Sequence, residues 1–210
     1  MSKKAVNYLA GAIMVVVVIV LSLDIHSLDR ERRRPVSEAF DVEEYVEHLW
    51  ENLLPGRLAE VPELPYLIEL LKEDPEVTFD NYSYKLGISN THYFYVSGSG
   101  VVDGIGEETV SVTVNETITT EFETTYVFGN AVRDGSGLVN IDEFLNMMDF
   151  NMVSVYLNRK VKSEVIEPFV ENLEPGTRVW FTGAAEINRL QDLPDPLRII
   201  PIQISVTDGE

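Results

Sequence analysis

HYFYVSGSGVVDGIG, from His92 to Gly106, and the EETVSVTVN that follows it, from Glu107 to Asn115, decide the fold. The first half of the longer stretch is aromatic and β-branched, which reads as a strand. Gly98 and Gly100 then interrupt it, and glycine inside a strand marks a bulge or a sharp bend. After the bend, Val110, Val112 and Val114 fall on alternate positions, so one face is apolar. A long strand that bends at glycine and returns as a hairpin is the opening of a small curled sheet.

Working towards the C-terminus, TTYVFGNAV (124–132) reads as a third strand. A helix follows near Val153–Leu173, with Val153, Leu157, Val161, Val165, Phe169 and Leu173 as its stripe and Pro168 kinking its last turn. Pro175-Gly176 turns into GTRVWFTGAAEI (176–187), and LRIIPIQISV (197–206) follows. Three strands, a helix and two strands is the layout of an OB-fold, a five-stranded barrel. A split sheet with one packed helix is the alternative. The fold class expected is mainly β with α: an OB-like barrel with a helix between strands 3 and 4.

Working towards the N-terminus, the period changes near Asn81, where Tyr82, Tyr84 and Leu86 alternate with polar residues. Upstream, Pro65–Lys72 reads as a short helix with Leu67, Ile68 and Leu71 on its apolar face and Pro75 past its end. Asp41 and Glu44 resemble a capping box. They open a helix over Val42, Tyr45, Val46, Leu49, Trp50 and Leu53, which Pro55-Gly56 is expected to stop. Tyr8–Leu23 carries no charge, and counting from Ala5 gives 19 residues, about enough to cross ~30 Å of hydrocarbon. No A-x-A-like cleavage site follows, so a retained transmembrane helix is preferred to a signal peptide. The expected domains are therefore 1–34 (anchor and basic tether), 35–78 (helical lead) and 79–210 (barrel).

Charge narrows the partners. The net charge of −19 is concentrated after the anchor: residues 35–210 hold 10 basic and 32 acidic side chains. Such a surface repels phosphate backbones, so nucleic acid is not expected as a partner. There is no cysteine, which excludes disulfides, thiolate metal sites, a cysteine nucleophile and an acylated cysteine.

Few motifs carry chemistry. VRDGSGLVNIDEF (132–144) resembles a calcium-binding loop, but Val132 stands where the first acidic ligand belongs and no helix is expected before it. A turn is the preferred reading, with a site made from Asp134, Asp142 and Glu143 as a weaker one. In NMMDFNMVSVYLN (146–158), Asp149 or Asn151 can cap a helix. Asn151, Ser154 and Asn158 share a helix face that would suit a neutral polyol. Together with Arg133, Asp134, Asn146 and Asp149 these are the candidate ligand- or partner-binding residues. Tyr93, Tyr95 and Trp180 could form an aromatic platform or pair across strands. His26, His48 and His92 read as surface or edge residues. No nucleophile, base and oxyanion set assembles, so neither an enzyme nor a cofactor or metal is expected.

FDVEEYVEHLWENLLP, YKLGISNTHYFYVSGSGVV, VFGNAVRDGSGLVNIDEFLNMMDFNMVSVYLN and PGTRVWFTGAAEI together resemble a bacterial family of predicted periplasmic lipoproteins without an assigned function. The resemblance runs from about Phe40 to the end. It implies an envelope-attached protein, with members often encoded beside sugar ABC-transporter genes. The family's acylated cysteine is missing here, so the anchor would be the helix itself, with the domain in the periplasm and the chain crossing the inner membrane once. The function expected is that of a non-catalytic accessory protein, associated with a sugar ABC transporter. The alternative is a small-molecule or carbohydrate-binding module of the envelope.

Overall fold

The computed structural model describes residues 40–207 apart from 128 and 172. The expected anchor and tether lie outside the described residues. The chain divides between Asp41 and Val42 into two units, and the second carries every element named below.

The first helix, α1 (Val42–His48), passes through a π-helical turn, Leu49–Leu53, into α2 (Leu54–Leu58). Pro55-Gly56 therefore does not stop it, contrary to the sequence reading. Proline has no N–H to donate and its ring crowds the carbonyl four residues back. The chain avoids that clash by opening one wide turn directly before Pro55, where the Leu54 N–H donates to Leu49 O, five residues back. The same device recurs later. Helix α6 (Met147–Lys160) passes through a π turn, Val161–Ile166, into α7 (Glu167–Val170), and the Glu167 N–H donates to Lys162 O directly before Pro168. The extra residue rotates the stripe by one position. Val161 is buried, Val165 only half-buried, and Ile166 takes the inward place.

Two further boundaries differ from the expectation. The α6 helix begins at Met147 rather than Val153, because the Asn146 side chain accepts from the Asp149 N–H at 2.9 Å and so fixes the first turn. Between α3 (Leu64–Glu73) and the sheet lies an unexpected helix, α4 (Pro75–Tyr82). Asp74 caps it by accepting from the Val77 N–H, and Pro75 supplies the preset φ of a first helical position. Tyr82 thus belongs to a helix and not to a strand.

The strands are β1 (Ser83–Tyr84), β2 (Thr91–Ile105), β3 (Thr109–Val114), β4 (Ile118–Glu123), β5 (Arg178–Asn188) and β6 (Leu197–Val206). The third barrel strand is ITTEFE, not the expected TTYVFGNAV. Its inward positions hold Ile118, Thr120 and Phe122, so a polar threonine separates its two large apolar residues, of which Ile118 is only partly buried. The sheet order is β1-β2-β3-β4-β6-β5, and β5 pairs back onto β2. Five strands therefore close a barrel, and the open split sheet is set aside. The β4–β6 pairing is parallel and the other strand pairings are antiparallel.

The glycines do what the bend requires. Strand β2 pairs with β5 through Val101 and with β3 from Gly100 onwards, so it serves two neighbours at its middle. A Cβ on Gly100 would meet Thr113 O at 2.6 Å, and one on Gly98 would meet the Phe181 ring at 2.9 Å.

The barrel wall separates two cores. Inside lie Phe94, Val96, Val110, Val112, Phe122, Phe181 and Ile199, closed by Leu64 and Leu67 of α3, Phe79 of α4 and Phe169 of α7. Outside, Tyr95, Ala184 and Ile202 of the wall pack against Val46, Leu49, Leu54 and Leu58 and against Val153, Leu157, Val161 and Ile166. A bulge in β6, between the partners of Thr182 and Gly183, turns Ile202 outward beside Ile200 and returns Ile204 towards the barrel interior.

Candidate functional site

The segment 129–138 folds as a short helix, α5 (Ala131–Ser136), ended by Gly137 at φ +67°. This conformation favours glycine, and a side chain there would also collide with the Tyr84 ring. Arg133 is 1 % exposed, and its Nε donates to Asp134 Oδ1 at 2.6 Å. One terminal nitrogen donates to Phe150 O at 2.9 Å, and the guanidinium lies 3.6 Å from the centre of the Phe150 ring. The Tyr95 hydroxyl donates to Val132 O, and burial pushes its pKa far above the ordinary range. Ser136 Oγ donates to Arg133 O at 2.6 Å and accepts from the Leu138 N–H.

The candidate residues divide around this segment. Ser154 donates to Asn130 Oδ1 at 2.9 Å, and Asn158 Nδ2 donates to Gly129 O at 3.0 Å. Arg133, Asp134, Ser154 and Asn158 therefore come together as buried groups that hold the 129–138 segment onto α6. Asn158 Oδ1 is buried without a protein partner. Asn146 and Asp149 join each other at the start of α6, with Asn146 Nδ2 donating to Asp149 Oδ2 at 2.7 Å. Asn151 is exposed and makes none of these contacts.

Other sequence expectations separate in space. Tyr93 and Tyr95 lie opposite Glu186 and Ala184, whereas Trp180 lies opposite Ser99. Six positions along β2 part Tyr93 from Ser99, about 20 Å at ~3.3 Å per residue, so the three rings do not form one platform. Asp134 is tied to Arg133, while Asp142 and Glu143 sit on an exposed 3₁₀ turn where Tyr45 donates to Glu143. Among the described residues no group of three or more His, Asp or Glu could hold a metal ion.

His92 is buried, not at the surface. Its Nδ1 lies 2.7 Å from Ser83 Oγ, its ring meets Phe79 edge-on at 4.8 Å, and Nε2 has no protein partner. Burial lowers its pKa, and nearby Lys85 and Arg189 lower it further against the opposing effect of Asp80.

The largest concavity described lies elsewhere. A groove of about 830 Å³ runs between the α1–α2 helix and the α6–α7 helix, beside the last residues of β6. Trp50, Leu54, Leu58, Val165, Ile202 and Ile204 supply its apolar lining, and Glu47, Glu51, Glu164, Lys160 and Gln203 its polar part. Lys160 bridges the two helices, at 2.7 Å from Glu47 and 2.8 Å from Glu164. Burial opposes the charge on Lys160, but hydrogen bonds to Glu164 and Glu47 outweigh it and raise its pKa. Both π turns border this groove. Sequence periodicity assigns its residues to helix faces only. The available clue was the two prolines set inside helical patterns, because wide turns often mark functional sites.

Among the described residues no helix is long and apolar enough to cross a membrane. No curated protein matches the chain at a significant level. A crystal structure of an OB-fold protein from Thermotoga maritima is similar over 81 % of this chain and 100 % of that one, with a TM-score of 0.73 and 23 % identity. At that identity the likeness speaks for the fold, and it agrees with the five-strand closure and the helix between the third and fourth barrel strands. Residues 13–205 match the family described as predicted periplasmic lipoprotein (DUF2291), and this chain belongs to that family.

Proposed function

We propose that this protein is a non-catalytic accessory protein of the periplasmic face of the inner membrane, anchored once through Tyr8–Leu23, that docks a partner protein in the groove between α1–α2 and α6–α7. One observation carries the reading: a concavity of about 830 Å³ in which an apolar lining lies beside a charged bridge. Exposed apolar concavities rimmed by polar groups are the usual form of an interaction site. From the family resemblance we take a component of a sugar ABC transporter as the proposed partner class. A second reading, a carbohydrate-binding module, uses the same groove, where Trp50 offers a ring face and Glu47, Glu51 and Gln203 offer hydrogen bonds.

The test is photo-cross-linking in native membranes with a reactive side chain placed at Gln203, which is exposed in the groove. The expected product is one cross-linked envelope protein, absent when the reactive group is moved to exposed Asn151. Equal labelling from both positions, or none, defeats the docking reading. A saturable rise in melting temperature with simple sugars would transfer the groove to the second reading.

A further inference from the structure

We propose that the occupant of this groove is an extended segment of a partner polypeptide that adds as a strand to the open edge of β6 and carries lysine or arginine side chains; the inference rests on the docking reading above. Strand β4 pairs with β6 only from Leu197 to Ile199, whereas β6 continues to Val206. On that side, among the described residues, no strand accompanies Pro201–Val206. An unpaired edge offers backbone N–H and C=O groups to an incoming strand. The π turn Val161–Ile166 packs beside this stretch, and among the described residues the groove left between them is lined by Ile202, Gln203, Ile204 and Val206. Pro201 stands at the head of the open stretch and offers no N–H, which limits pairing to the residues after it. The stretch from Pro201 to Val206 extends for roughly 20 Å at ~3.3 Å per residue, enough for a guest of five or six residues.

Side-chain chemistry sets the composition of the guest. A guest strand presents alternate residues to opposite faces. One set would meet the apolar wall of Leu54, Leu58 and Val165. The other would meet Glu47, Glu51 and Glu164, three carboxylates against the single cation Lys160, on a chain of net charge −19. Basic residues fit that second set, and acidic ones are repelled.

The probes are three fluorescein-labelled hexapeptides: alternating lysine and valine, alternating glutamate and valine, and the lysine peptide with alternate backbone nitrogens methylated. Each is titrated against the full-length protein in a neutral detergent, followed by anisotropy and by amide hydrogen exchange. The lysine peptide is expected to bind saturably with a Kd below about 1 mM and to slow exchange at Gln203–Val206. The methylated peptide should bind at least tenfold more weakly, and the glutamate peptide should not bind. The exposed double variant Glu51→Lys/Glu164→Lys should also lose at least tenfold. Binding of the methylated peptide within twofold of its parent, unchanged exchange along β6, or no saturable binding of the lysine peptide overturns strand addition, while the cross-link at Gln203 separately decides the docking reading. A concentration-dependent dimer in sedimentation, abolished by Val206→Pro, would assign the edge to a second copy and overturn the proposal in that way.

Discussion

At the scale of single residues, the buried ion pair on α5 and the buried histidine on β2 make opposite demands on charge. Arg133 and Asp134 are charged inside the protein because each has the other, and Phe150 supplies a further carbonyl and a ring face. Arg133→Met removes the cation and leaves Asp134 buried without its partner. A loss of about 3 kcal/mol in urea unfolding is expected, with part of it recovered when Asp134→Asn is added. His92 is neutral because protonation would place an unpaired N–H⁺ at buried Nε2. Its folded pKa lies below the unfolded value of about 6.5. The unfolded chain therefore takes up the proton first, and stability falls as pH drops below about 6.5 until the folded pKa is passed. Comparing urea midpoints at pH 7.5 and pH 5.5 for the wild type and His92→Phe measures this, and the variant should show the smaller difference. Neither role is legible in sequence. Arg133 looks like a surface cation of a turn, and its burial depends on α6 arriving from 17 residues away.

At the scale of elements, what could be read was periodic and what could not was set by caps and prolines. The glycine-bent strand, its hairpin partner and the last two strands are visible because their inward positions are apolar and alternate. Strand β4 is harder to read because Thr120 sits inward between Ile118 and Phe122, which weakens the hydropathy contrast of ITTEFE. The start of α6 was missed because its first turn is held by Asn146, not by apolar residues. Asn146→Ala should cost about 1 kcal/mol, measured by thermal unfolding, and Asn146→Asp should restore most of it. The groove was invisible for a related reason: it is bordered by the two turns where the helices depart from the 3.6-residue period on which pattern reading rests.

At the scale of the whole molecule, charge acts against compactness. Acidic groups exceed basic ones by 19, and among the described residues few of the ion pairs are buried. Mutual repulsion is greater in the folded chain, where the carboxylates are closer together, and salt screens it. Raising sodium chloride from about 0.02 M to 0.5 M should stabilise the protein by about 1 kcal/mol, equivalent to about 3 °C in Tm. A melting temperature that falls over this range would show that specific surface ion pairs outweigh the general repulsion. The barrel tolerates this surface because its wall is buried on both sides by separate apolar clusters.

The wide turn before each proline also bears on chain length. A π turn is one residue more than a regular helix needs over the same distance, so Pro55 and Pro168 each travel with a surplus residue. A homologue with an ordinary helix former in place of either proline is expected to be one residue shorter within the preceding turn, and single-residue gaps should fall there when such chains are aligned. Replacing either proline alone leaves the surplus in place and the downstream face fixed by its burial. Straightening the helix calls for a substitution and a deletion together.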